Sequence, residues 1–267
     1  MTFAPRALTA AEEVLLSSLT KPLVEAETYA SQVALAAATW RADKLGTART
    51  AAYEARPRGD RCVYCQDNEG RDLDHLRPKT LYPLLTFAWT NLIPACSICG
   101  GPDHKGAKDA VLDVSSPSGW REITRRRSVG GPVAPPAVGP TAWWNPRLSD
   151  PLQAMKLDIV DDSFLFEVIA EPGTPDHARM EWTINTLRLN RRNSLVRQRR
   201  SAYRAFLDWL GAVVEDTAAG NAARLAQLRG DLRDRNQPVV WAEMKRQRND
   251  LPDVSLLLSQ VPAVLDW

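Results

Sequence analysis

Every cysteine of this chain falls in one of two C-x-x-C pairs, Cys62-Val-Tyr-Cys65 and Cys96-Ser-Ile-Cys99. No other feature limits the fold as much. A C-x-x-C turn sets two sulfurs about 4 Å apart on one side of an ion, so Cys62, Cys65, Cys96 and Cys99 suit a tetrahedral zinc site with Zn–S near ~2.3 Å. Thirty residues separate the pairs, room for two strands or for a strand and a long loop. In a reducing compartment paired C-x-x-C motifs read as metal ligands rather than disulfides. A tetrathiolate has no open position, so this zinc holds structure and does no chemistry. A unit of about 50 residues has too little core to stand alone, and the metal supplies the missing stability.

The chain has 267 residues, one large domain or two small ones, and at 44% hydrophobic it can bury a core. Its net charge is only +2, so any surface for nucleic acid must be local. No run of about 18 apolar residues marks a membrane span. The start, Met1-Thr2-Phe3-Ala4-Pro5-Arg6, lacks the basic-then-apolar plan of a secretion leader. The reading is a cytoplasmic protein with no membrane partner.

Four sections follow from composition. Residues 1–58 are a helical segment, two or three helices with apolar positions at Leu8, Ala11, Leu15, Leu16 and Leu19, then Leu23, Tyr29, Val33 and Leu35. Lys21-Pro22 should separate the first helix from the second, because proline is tolerated at a helix start but not inside. Arg56-Pro57-Arg58-Gly59-Asp60 ends the helical section, and residues 59–114 form the cysteine unit. Residues 115–142 read as a Pro/Gly-rich linker carrying Arg125-Arg126-Arg127, with one short strand around Trp120–Ile123. Residues 143–267 begin with a hairpin over 157–168, its turn at Asp161–Ser163, and continue as helices. In the longest helix Val196, Tyr203, Phe206, Leu207, Leu210 and Val214 recur at helical spacing and predict the buried face.

Between and after the cysteines stand Asp74-His75, Asn91 and His104-Lys105-Gly106. A lone Asp-His dipeptide means little, and structural histidines outnumber catalytic ones. The ordered set carries more weight, and Cys62–Gly106 resembles the HNH endonucleases with their ββα-metal fold. The implied fold class is α+β, a zinc-stabilised ββα-metal module embedded in a mostly helical chain. The resemblance implies His75 as general base, Asp74 as ligand of a catalytic divalent ion, Asn91 as a brace for the loop, and His104 as second ligand. Many members place Asn or His directly after the last cysteine, where this chain has Gly100-Gly101-Pro102-Asp103. Asp103 is therefore the alternative to His104. The chemistry agrees with these roles. Mg²⁺ or Mn²⁺ neutralises a phosphodiester, and an imidazole titrating near ~6.5 can take a proton from water. Arg77 and Lys79 are placed to grip phosphates, or else to line a solvated turn.

The wider pattern narrows the resemblance. Leu73 to Lys79, Tyr82-Pro83, Phe87-Ala88-Trp89-Thr90-Asn91-Leu92 and Thr183-Ile184-Asn185-Thr186-Leu187-Arg188-Leu189-Asn190 are similar to the HNH subunits of Septu and retron-associated anti-phage systems. That likeness implies a DNA-hydrolysing effector held by an ATPase partner. A non-catalytic zinc module and an RNA- or tRNA-directed nuclease are the alternatives. Arg179, Arg188, Arg191, Arg192, Arg197, Arg199, Arg200 and Arg204 face one acid in their span, Glu181, and should point away from the core, toward a nucleic-acid backbone, an acidic partner or solvent. Trp143-Trp144 reads as packing, and His177 as a bystander at a helix start.

Overall fold

The computed structural model describes residues 7–42, 44–54, 60–123, 135–136 and 139–267. Residues 56–59 of the expected breaker and the triple arginine at 125–127 lie outside the described residues. The chain is a mixed, largely helical one with three two-stranded sheets among the described residues. No helix among them is long and apolar enough to cross a membrane.

Three helices open the chain: α1 (Ala10–Glu25), α2 (Tyr29–Arg41) and α3 (Thr47–Glu54). A reciprocal cap starts α1: the Glu12 amide donates to Thr9 Oγ1, and the Thr9 amide donates to Glu12 Oε2. The expected break at Pro22 does not occur, and α1 runs through it to Glu25. Ser18, whose carbonyl loses its amide partner to the proline, is exposed, while Leu23 just beyond is wholly buried. Burial of Leu23 outweighs one hydrated carbonyl on the wet side.

The hairpin of β1 (Asp72–His75) and β2 (Leu92–Ala95) is the hub. Its antiparallel register sets Leu73 opposite Pro94, Asp74 opposite Ile93 and His75 opposite Leu92. All four β2 residues are buried, because the sheet is covered on both sides. Leu73 and Leu92 join the core of the N-terminal helices with Leu16, Leu23 and Phe87. Ile93 and Ala95 join the large C-terminal core.

After β2 comes α4 (Ser97–Gly100), one turn within the second cysteine pair. Directly after the hairpin, the expected ββα order is therefore met only by this single turn among the described residues. The short strand expected around residues 120–123 forms as β4 (Trp120–Glu122), which pairs with β3 (Ala110–Leu112), and Val111 bridges to Thr141.

The second expected hairpin forms from β5 (Met155–Leu157) and β6 (Phe166–Val168), with Asp161–Ser163 inside its loop. Helices α5 (Pro175–Thr186), α6 (Asn193–Ala218), α7 (Ala222–Asp234), α8 (Pro238–Arg246) and α9 (Pro252–Gln260) complete the chain. The buried face of α6 is Leu195, Arg199, Ala202, Phe206, Trp209, Leu210 and Val213. It is turned from the expected stripe, since Val196, Tyr203, Leu207 and Val214 are only half-buried. Trp209 and Trp241 pull the helix round: their rings pack edge to face at 5.4 Å.

Candidate metal centre and the Asp74–His75 strand

The four cysteines converge. All are unbridged and buried, and their sulfurs lie within 4.8 Å of one another. Cys65 Sγ and Cys96 Sγ are 3.9 Å apart, close to the ~3.8 Å edge of a tetrahedron with Zn–S near ~2.3 Å. Burial and contact with Cys65 and Cys96 push the Cys62 thiol well up. A cation at the centre removes that penalty, and a tetrathiolate set suits zinc.

Local bonds shape both turns. The Gln66 amide donates to the Cys62 carbonyl, and the Cys99 amide donates to Cys96 Sγ at 3.4 Å. The knuckle is fastened outward as well. Arg192, at the start of α6, donates through Nη1 to Cys99 Sγ at 3.2 Å, and the Val239 amide of α8 donates to Gln66 Oε1 at 3.1 Å. A zinc tetrathiolate carries two net negative charges, so a guanidinium on one sulfur is electrostatically well placed.

Asp74 and His75 are neighbours on β1, and a strand sends neighbours to opposite faces. His75 is 3% exposed. Its ring packs edge-on against Trp40 of α2, with centroids 4.4 Å apart. Its Nε2 lies 3.0 Å from the Thr86 carbonyl. A carbonyl only accepts, so Nε2 carries the hydrogen and the neutral ring keeps its lone pair on Nδ1. Burial, with Lys79 and Lys105 nearby, pulls the pKa down to about 3, although the Thr86 bond opposes this. Lys79 sits over the Trp40 ring at 5.3 Å, and burial lowers its pKa while Asp74 raises it.

Asp74 looks the other way. Its Oδ2 accepts from Tyr64 Oη at 3.0 Å and pairs with Lys105 Nζ at 3.1 Å. Lys105 is wholly buried and also donates from Nζ to the His75 carbonyl. Neither Tyr64 nor Lys105 was singled out from the sequence. The only available signal was Lys105 within His104-Lys105-Gly106, and nothing there says that lysine turns inward.

Asn91 ties the intervening loop shut. Its Oδ1 accepts from the Arg77 amide at 2.7 Å, and its Nδ2 donates to the carbonyls of Arg77 and Leu85 at 3.0 Å each. The Arg77 guanidinium pairs with the buried Asp109 at 3.1 Å, donates to Tyr82 Oη and the Gly139 carbonyl, and covers the Tyr82 ring. A buried carboxylate needs a counter-charge, and Arg77 is the one within reach.

His104 sits among cations. Burial, then Arg192, Arg188 and Lys108, lower its pKa, and only Asp103 raises it. Outside the four cysteines, no three His, Cys, Asp or Glu ligands converge among the described residues. No divalent-ion site with three such ligands is therefore preassembled among the described residues outside the cysteines. Asp74 offers one carboxylate whose Oδ2 is already engaged, and a positive field around His104 disfavours a cation.

The arginine-rich stretch also departs from expectation. Arg199 is fully buried, donating to the Phe164 carbonyl at 3.0 Å and lying over the Phe166 ring. Arg179 pairs with Asp176, and Arg200 with Asp162. Arg188, Arg191, Arg197 and Arg204 remain exposed and make no ion pair among the described residues. His177 stands at a helix start as expected, its amide donating to Thr174 Oγ1. Trp143 and Trp144 are buried, with Trp143 edge-on to Trp182.

No family model and no solved structure matches the chain. Over 68 residues it is similar to the Septu protein PtuB of Bacillus thuringiensis. The two are 35% identical there, across 22% of this chain and 26% of that protein. The chain thus spans about a quarter of the relative it matches.

Proposed function

We propose that this chain is a zinc-folded HNH-type endonuclease that hydrolyses DNA phosphodiesters as the effector of a Septu-like anti-phage system, acting with an ATPase partner. The observation that carries the chemistry is the tautomer of His75. Thr86 fixes Nε2 as a donor, which leaves Nδ1 as a neutral base at the end of a strand. The likeness to a Septu protein supports the defence context.

In the reaction, water attacks phosphorus while His75 Nδ1 takes its proton. The bond to the 3′ oxygen breaks, that oxygen takes a proton from solvent, and 5′-phosphate and 3′-hydroxyl ends result. Lys79, which acts electrostatically on both His75 and Asp74, would grip the phosphate. With His75 only 3% exposed and its pKa held at about 3 by burial and Lys79, Trp40 and Lys79 must yield when nucleic acid docks, so that a phosphate beside the ring restores its basicity. Arg188, Arg192 and Lys108 lie near enough to His104 to lower its pKa, and with the exposed Arg191 they would supply cations to the backbone.

The pairing of Asp74 with Lys105 favours a second reading, a zinc module that binds nucleic acid through those arginines without cutting it. Supercoiled plasmid and structured RNA, each with Mg²⁺ or Mn²⁺ and with or without the ATPase, separate the readings. The nuclease nicks plasmid and His75→Ala does not. Equal cutting by both removes His75 as the base, and binding without cutting under every condition establishes the second reading. Cleavage of RNA alone replaces the DNA assignment.

A further inference from the structure

Lys105 is the most unusual charge in the molecule. Lysine is almost never fully buried unless paired, and here the side chain has no exposed surface. Each face of its ammonium is used. One hydrogen goes to Asp74 Oδ2 at 3.1 Å and one to the His75 carbonyl, and the Trp143 ring lies 5.2 Å away as a cation–π partner. The placement is built in by the backbone. The Lys105 amide donates to the Cys99 carbonyl at 3.1 Å, so the residue hangs from the zinc knuckle. Gly106 follows at φ +48°, where a Cβ would meet Pro102 Cα at 3.0 Å. Only glycine closes this turn and points Lys105 inward.

We propose that Lys105 is a built-in counter-ion of Asp74, and that a divalent ion reaches this carboxylate only by displacing the Lys105 ammonium. Both cations seek the same oxygen, and Tyr64 already holds that oxygen at 3.0 Å. Asp74 keeps 13% of its side-chain surface exposed, while Lys105 keeps none. A chain built this way binds divalent ions weakly when alone. A phosphate arriving with its own negative charge offers the ammonium a second partner and loosens the lock. Lys105 is thus a positioning residue that couples the zinc knuckle, through one buried ammonium, to both members of the Asp74–His75 pair.

The proposal rests on Asp74 being the ion-binding carboxylate of the proposed nuclease, and ion binding is measured apart from cutting. The test is Mn²⁺ titration of the zinc-loaded full chain by electron paramagnetic resonance, without nucleic acid. Lys105→Met should bind one Mn²⁺ at least about tenfold more tightly than wild type, and Asp74→Asn combined with Lys105→Met should lose that gain. Equal affinity in wild type and Lys105→Met overturns the proposal, as does tight Mn²⁺ binding by wild type that Asp74→Asn removes. Should Lys105→Met fail to fold, the wild-type Lys105 ammonium is followed by ¹⁵N NMR while Mg²⁺ is added. A signal that shifts in wild type and not in Asp74→Asn supports displacement, and a signal unmoved at saturation refutes it. Nicking by wild type with unchanged Mn²⁺ affinity in Lys105→Met sinks the counter-ion while leaving the nuclease standing. Tightened Mn²⁺ binding with no cutting by any variant does the reverse.

Discussion

Replacing Asn91 by alanine tests whether the loop from β1 to β2 is held by one side chain. The Asn91 amide makes three hydrogen bonds, to the Arg77 amide, the Arg77 carbonyl and the Leu85 carbonyl, while 5% exposed. Each such bond contributes about 1 kcal/mol net, and a buried group left without a partner loses more. Arg77 and Leu85 are half-buried, so water can recover part of the loss. The expected destabilisation of Asn91→Ala is therefore about 3 kcal/mol, read from urea unfolding of the zinc-loaded chain. Asn91→Asp sharpens the test. It keeps an acceptor for the Arg77 amide but turns an oxygen onto two carbonyls, so it should be at least as unstable as Asn91→Ala. Hydrogen exchange adds a local reading. The Arg77 amide should exchange faster in both variants, while the Cys62 amide, bonded to the Asn68 carbonyl, should not change. The consequence for function passes through Thr86: it lies on the braced loop, and its carbonyl fixes the His75 ring. A loss below about 1 kcal/mol, or an Asn91→Asp chain as stable as wild type, refutes the bracing argument.

Zinc removal and acid make further demands on the same hub. Chelation should abolish the cooperative unfolding of the hairpin with the knuckle, and Arg192→Gln should weaken zinc by about tenfold in competition with a chromophoric chelator, because the guanidinium on Cys99 Sγ is lost; unchanged affinity refutes that role. His75 should make the fold acid-sensitive. Its folded pKa of about 3 lies below the unfolded ~6.5, so its contribution is fully present above ~6.5 and is lost as pH falls toward 3. The stability difference between wild type and His75→Gln should therefore shrink by roughly 2 kcal/mol from pH 7 to pH 5. Protonation of the zinc thiolates is common to both proteins and cancels, so a difference independent of pH refutes the burial of a neutral ring.

What the sequence made legible was whatever rests on period and spacing. The cysteine pairs found one another, the hairpin over 157–168 formed, and the chain beyond it continues as helices. Where it misled, a side chain had two natures. Arg199 reads as a solvated charge, yet its long stem and planar head fit under Phe166 with a carbonyl to bond, and α6 buries it at the centre of its apolar face. Pro22 reads as a stop, yet burying Leu23 carries α1 past it. The Asp-His dipeptide concealed the most. The two-residue period of a strand makes β1 easy to predict, and the same period drives Asp74 and His75 to opposite faces, so adjacency in sequence did not make them converge. What reunites them is the backbone, not the side chains. One ammonium reaches Asp74 Oδ2 and the His75 carbonyl together, because that carbonyl lies in the plane of the sheet rather than on either face. A buried lysine on the next turn can thus sense both members of a pair that their own side chains separate, and no pattern of residue types encodes that.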